Sequence, residues 1–327
     1  MTSLSVHVEC ILVNSIATLS SFLDKIIGLP TNSSPLFLDL EGENLGRHGS
    51  ISIITVFIVP ENTAYLIDVC HLGSQAFTVT KDKVSIKGVL ESTTVFFDVR
   101  NDSDALFNLY QISLNGVKDV QLMELACRPG PDASKKYLAG LARCVAKDSV
   151  WSDAQKEAWR RVKQGTAALF DSKTHDGPNA FDKCPLDKDV ERYCTQDVTV
   201  LPGLYNIYDK KLRRPGENFW RAQVQQATKD RIKLSQTPKY DGRDMKKALG
   251  PWSESEIEQA IEDWNEDVMF EAMHGDEAED WDEGLLDDIM MGDYDECYDH
   301  DDYDDHQDTA RDCIGWEEDM VKNGEWF

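Results

Sequence analysis

Between residues 11 and 29 apolar positions recur at helical spacing (Leu19, Phe22, Leu23, Ile26, Ile27), and the run stops at Gly28-Leu29-Pro30. One amphipathic helix is expected there. Short stretches rich in Val, Ile and Phe follow at 36–41, 50–59, 64–69 and 95–99. These read as strands, with Pro60-Glu61-Asn62 as a turn, and the first three as an antiparallel meander. A helix is expected between Ile67 and Val95, and after Asp102 the spacing of Leu106, Leu109 and Ile112 is helical again. Residues 117–121 form a short strand candidate. Helical pattern then dominates 134–145, 152–162 and 189–208, where Pro202 is expected to kink or end the last helix. Strands and helices interleave, which predicts an α/β fold.

Charge changes this picture only towards the end of the chain. The 327 residues carry a formal charge of −26, but residues 254–327 hold 30 acidic and 2 basic side chains, leaving residues 1–253 near neutrality at +2. A global acidic balance would argue against a phosphate-bearing partner; a neutral body does not. Residues 210–247 are locally basic, with 12 Lys and Arg against 4 acids. From Trp252 the sign flips, through a helix expected at 253–273 behind the capping-box pattern Ser253-Glu254-Ser255-Glu256, into low-complexity acid at 276–308, expected to be disordered. No apolar run approaches the ~20 residues of a membrane span, and the N-terminus lacks a secretory n-region, so an intracellular, non-secreted protein of nucleus or cytoplasm with no membrane partner is expected. Eight scattered cysteines form no CxxC pair and read as reduced thiols.

Three groups of residues carry chemistry. Asp39 and Glu41, two apart on an apolar strand, share one face; neighbouring carboxylates repel, so such a pair points to bound cations or catalytic work, or else to a strand end opening into solvent. Asp102 falls where a strand ends and a helix begins, a favourable place for a carboxylate and equally an ordinary N-cap. Tyr193 and Asp197, four apart on a helix, share a face, so the phenol could orient a water activated by a metal on Asp197; a half-buried tyrosine beside a surface acid is the alternative.

Taken together, Asp39, Glu41, Asp102, Tyr193 and Asp197, in that order on a strand, a strand–helix junction and a late helix, resemble the ribonuclease D-like 3′–5′ exonuclease superfamily with a tyrosine in its third motif. The stretches from Asp39 to Gly49 and Asp98 to Leu106, with Asp119-Val120-Gln121, resemble its Egalitarian-like branch, and the resemblance covers roughly residues 35–210. It implies a ribonuclease-H-like mixed β-sheet flanked by helices, and hydrolysis of single-stranded nucleic acid from the 3′ end, RNA slightly ahead of DNA, with two divalent cations, Mg²⁺ or Mn²⁺. Asp39 would touch both metals, Glu41 and Asp197 chiefly the one that activates water, and Asp102 the second; Tyr193 would orient the nucleophile. Glu43 and Asp98 match no family ligand, and a lone His48 carries little weight.

The expected organisation is an N-terminal helical segment (1–34) packed on the exonuclease domain (35–210), a basic helical appendage (211–252) and the acidic tail (253–327). Arg47 follows the first motif, and Arg213, Arg214 and Trp220 belong to a basic, aromatic stretch that either contacts single-stranded substrate or packs on the nuclease domain. Lys210-Lys211-Leu212-Arg213-Arg214 would serve nuclear import or phosphate binding. The tail, with Trp281, Tyr294, Tyr298, Tyr303 and Trp316 among its acids, is a candidate autoinhibitory or partner-binding segment; His274, His300 and His306 stand in solvated acid. Oligomeric state is left open. The alternative to an enzyme is a non-catalytic RNA-binding adaptor of the same fold.

Overall fold

The computed structural model describes residues 8–30, 35–129, 135–170, 180–183 and 186–274. The expectations placed on the tail beyond His274 lie outside the described residues. Six strands, β1 (Glu9–Val13), β2 (Leu36–Glu41), β3 (Ile53–Ile58), β4 (Thr63–Asp68), β5 (Thr94–Phe96) and β6 (Lys118–Asp119), form one sheet in the order β1-β4-β3-β2-β5-β6. β3 pairs antiparallel with β2 and β4, and every other pairing is parallel, so β3 alone runs against the rest. The tight return from β3 to β4 is a 3-10 turn, Val59–Glu61, closed by Asn62 in the left-handed region at φ 49°.

Eleven described helices surround the sheet: α1 (Ile16–Gly28), the short α2 (Val69–Leu72), α3 (Gln75–Thr78) and α4 (Ile86–Leu90), then α5 (Arg100–Tyr110), α6 (Val120–Ala126), α7 (Leu141–Asp148), α8 (Asp153–Phe170), α9 (Lys188–Leu212), α10 (Asn218–Ser235) and α11 (Glu254–His274). Every residue of β2, β3 and β4 is buried, the signature of strands covered on both faces. On one face Phe37, Ile53, Phe57 and Leu66 pack with α6, α7 and α9; on the other Leu38, Leu40, Ile54 and Ile67 pack with α1 and α5. The period-2 alternation of β2 therefore sends Asp39 and Glu41 to the same side as Phe37, beneath α9. No helix among the described residues is long and apolar enough to cross a membrane.

The expected elements are present with three corrections. The first helix does not begin at residue 11: Glu9–Val13 is a strand paired in parallel with β4, and the helix starts only after Ser15, which forms a capping box with Thr18. Helix α7 starts at Leu141 rather than 134, because Leu138 donates to the Ala248 carbonyl and Tyr137 bridges to Leu249, holding that segment extended up to Gly140. Pro202 does not end α9, which runs on to Leu212 with Leu201, Leu204 and Tyr205 buried beneath it.

The basic segment is joined to the sheet through its core. Arg231 of α10 is buried, with Nη1 2.7 Å from Asp119 Oδ2 and 3.7 Å from Asp98 Oδ1, and Arg100 clamps Asp98 at 2.5 and 2.6 Å while donating to the Lys247 carbonyl at 2.9 Å. Burial works against the charge on Asp98, but Arg100, aided by Lys247 and Arg231, overcomes it and holds the carboxyl below the ordinary carboxylate range. A depressed folded-state pKa contributes stability that is present above the unfolded value of about 4 and is lost as pH falls below it. The urea midpoint is therefore expected to drop as the solution is taken from about pH 6 to about pH 3. Asp98→Asn should flatten that drop.

Candidate active site

One oxygen from each of Asp39, Glu41 and Asp197 lies within 4.8 Å of the others, and all three residues are buried. β2 supplies the first two because alternate residues share a face. α9, capped by Asp187 accepting from the Asp189 amide, supplies the third. The chain cannot leave β2 loosely: a Cβ on Gly42 would come 2.1 Å from the Ser50 carbonyl oxygen, and Ser52 donates to the Glu41 carbonyl at 2.8 Å. The loop from Gly42 to Ser50 thus folds tightly back on the strand end that carries Glu41.

Asp102 does not join the three-carboxylate group but lies beside it, buried, with Oδ1 accepting from the backbone N–H of Leu40 at 3.2 Å. Tyr193 is buried one turn before Asp197 on α9, its ring centroid 6.4 Å from that of Phe181. The field of the cluster is felt by Cys194: burial first, then Glu41, Asp39 and Asp197, push its thiol well above the usual value, which keeps it neutral.

Lys163 is the group that sequence reasoning missed. It extends from α8 with Nζ 2.5 Å from Asp197 Oδ2 and 4.5 Å from the centre of the Tyr193 ring. One turn earlier, Trp159 donates its indole N–H to the Gln196 carbonyl at 3.4 Å, so two side chains of α8 meet consecutive residues of α9. A Trp-x-x-x-Lys spacing marks one helix face in the sequence, but nothing local names Asp197 as its partner.

The expected substrate contacts Arg47, Arg213, Arg214 and Trp220 each have partners of their own or stand exposed. The Arg47 guanidinium is engaged by Asp104 at 2.8 Å and by the carbonyls of Ser235 and Thr237, each at 2.8 Å, tying the loop after β2 to α5 and to the end of α10. Arg213 and Arg214 are exposed just past α9, about 24 Å along the helix from Asp197 at 1.5 Å per residue. Arg213 pairs with Asp209 at 2.6 Å. Trp220 is half-buried against Trp252, ring centroids 5.3 Å apart, with Lys135 Nζ 4.6 Å over its ring.

The mixed sheet with its single reversed strand carries the carboxylate cluster between a central strand and a covering helix, an arrangement that fits metal-assisted phosphodiester hydrolysis. Residues 14–213 match the sequence profile of the 3′–5′ exonuclease family, and the chain belongs to that family as a 3′–5′ exonuclease. Its fold is similar to that of Trypanosoma brucei RNase D in complex with the RNA U12, with a TM-score of 0.57, 16% identity, and 77% of this chain and 79% of that chain covered. A second crystal structure of Trypanosoma brucei RNase D gives 0.53, 18%, 72% and 75%, and its GMP complex gives 0.54, 16%, 71% and 65%. No curated protein sequence matches the chain. An exonuclease of this family depends on a divalent metal, and the donor set fits one: three buried carboxylates converge, and hard oxygen donors suit hard divalent cations.

Proposed function

We propose that this chain shortens single-stranded RNA from its 3′ end by a two-metal mechanism, as a member of the tyrosine-bearing, Egalitarian-like branch of the ribonuclease D-like enzymes. The observation that carries the proposal is the convergence of Asp39, Glu41 and Asp197 within 4.8 Å in a 3′–5′ exonuclease. A choice of RNA over DNA is supported by the likeness of fold to an RNase D solved with RNA.

Asp39, Glu41 and Asp197 would hold the first divalent ion, Mg²⁺ or Mn²⁺, and Asp102, anchored on the Leu40 N–H, is the candidate ligand of a second. When bound, such ions lower the pKa of a water and stabilise the charge that develops on the phosphate and the leaving 3′ oxygen. Tyr193, one turn from Asp197, would orient the attacking water through its phenol. The buried setting strengthens these electrostatic contacts, because little solvent screens them. Arg213 and Arg214 would meet phosphates upstream of the scissile bond. Trp220, packed on Trp252 and Lys135, contributes to the shape of the basic segment.

The test uses 5′-labelled single-stranded RNA and DNA of equal sequence with Mn²⁺, Mg²⁺ or EDTA. The expected result is a ladder that shortens stepwise from the 3′ end of RNA, is weaker on DNA, and is absent in EDTA. Binding of RNA without shortening in either metal would instead return the adaptor reading.

A further inference from the structure

We infer that Lys163 is a resident counter-cation of the carboxylate cluster, and that it competes with the divalent metal and so sets how tightly the site is loaded. The inference rests on reading Asp39, Glu41 and Asp197 as metal ligands.

Three buried carboxylates within 4.8 Å of one another repel, and burial removes the water that would otherwise screen them. Without a metal, the folded chain needs a positive charge at this point. Lys163 brings one: its Nζ is 2.5 Å from Asp197 Oδ2, the two side chains are 9% and 4% exposed, and the ammonium also lies over the rings of Tyr193 and Trp159 at 4.5 and 5.6 Å. The pair is therefore a desolvated one, in which Coulomb forces are far stronger than at a surface.

The same geometry opposes a metal. A divalent ion on Asp197 would stand close to the ammonium, and like charges at this range in a dry site repel strongly. Loading thus requires Lys163 to withdraw from Asp197 or to weaken its hold. Helix α8 is suited to that movement. Among its described side chains only Trp159 is buried, and the others are half-buried or exposed, Lys156 among them, whose Nζ donates to the Ala146 carbonyl. An element with few buried apolar contacts opens at low cost in free energy. Before loading, the ammonium offsets part of the charge of the three carboxylates, and the enzyme loads only when the divalent ion is abundant enough to outcompete a tethered ammonium.

The test is made on the full chain with Lys163→Met, which keeps the apolar stem and removes the charge, Lys163→Gln as a second uncharged variant, and Lys163→Arg. Mn²⁺ affinity is read from the electron paramagnetic resonance signal of the free ion, and thermal melts are recorded in EDTA and in Mn²⁺. Both uncharged variants are expected to bind Mn²⁺ at least about tenfold more tightly than wild type, since a nearby positive charge has been removed. They are also expected to melt earlier in EDTA and to gain more from Mn²⁺, while Lys163→Arg keeps the wild-type affinity to within a few-fold. Unchanged or weaker Mn²⁺ binding in the uncharged variants, with wild-type binding intact, overturns the competing role of Lys163 alone. Wild-type binding no tighter than that of Asp39→Ala,Glu41→Ala would overturn the metal-site reading itself.

Discussion

Replacing Asp39 by asparagine is expected to slow removal of the 3′ nucleotide by about a thousandfold while leaving the chain folded. Asp39 lies on β2, paired across the strands with Thr55, and one of its carboxylate oxygens is within 4.8 Å of one from each of Glu41 and Asp197. A neutral amide keeps the shape of the side chain but offers a metal a weaker oxygen donor without charge. The loss should fall on kcat, with RNA affinity little changed, because the proposed phosphate contacts Arg213 and Arg214 lie about 24 Å along α9 from Asp197. It should also spare stability: taking one charge out of a crowded group of buried carboxylates relieves repulsion, so the melting temperature in EDTA is expected to stay level or to rise. A variant that melts well below wild type, or that retains more than a tenth of wild-type kcat, would contradict this role.

The second large effect concerns the joint between the basic segment and the sheet. Arg231→Met is expected to destabilise the chain by about 3–5 kcal/mol, the usual result of removing one partner from a buried ion pair. Asp119 is fully buried, and the Arg231 guanidinium at 2.7 Å is joined there only by amides, from Asp98, Val99 and Gln121, among its described hydrogen-bond donors. Losing Arg231 strands that charge at the end of β6 and loosens α10 from α5 and α6. Thermal melts should show a drop of about 10 °C, and Arg231→Met,Asp119→Asn should recover part of it. A loss of less than about 1 kcal/mol would mean that α10 is held by its apolar contacts alone. The activity of Arg231→Met, measured well below its melting temperature, tests separately whether the basic segment serves catalysis.

Local patterns carried much of this molecule. The antiparallel meander followed from three Val- and Ile-rich runs and one turn, and the shared face of Asp39 and Glu41 from the two-residue period of a strand. The four-residue spacing of Tyr193 and Asp197 was equally legible, since α9 is a regular helix there. What stayed hidden depended on distant partners. Glu9–Val13 is a strand only because β4 lies alongside to pair with it, and its apolar residues merge with the helical pattern that follows. Asp102 could be placed at the head of a helix, but its hydrogen bond to the Leu40 N–H spans 62 residues. Lys163 and Asp197 lie 34 residues apart on two helices, and the packing of α8 on α9, with Trp159 against Gln196, brings them together. Arg47 read as a substrate contact because it follows Asp39 and Glu41 closely, whereas the fold directs it to Asp104 and two carbonyls. Charge composition separates a basic segment from an acidic one, yet does not tell that Arg231 within the former turns inward.

The central claim is that Asp39, Glu41 and Asp197 hold the metal that drives hydrolysis. Its most direct test is a crystal of the full chain soaked in Mn²⁺ with a nucleoside 5′-monophosphate, with the manganese located by its anomalous scattering. The account predicts a strong peak in contact with all three carboxylates, Lys163 drawn back from Asp197, and a further peak beside Asp102 once the nucleotide is present. Manganese bound only at surface acids, with Lys163 still seated on Asp197, would contradict it.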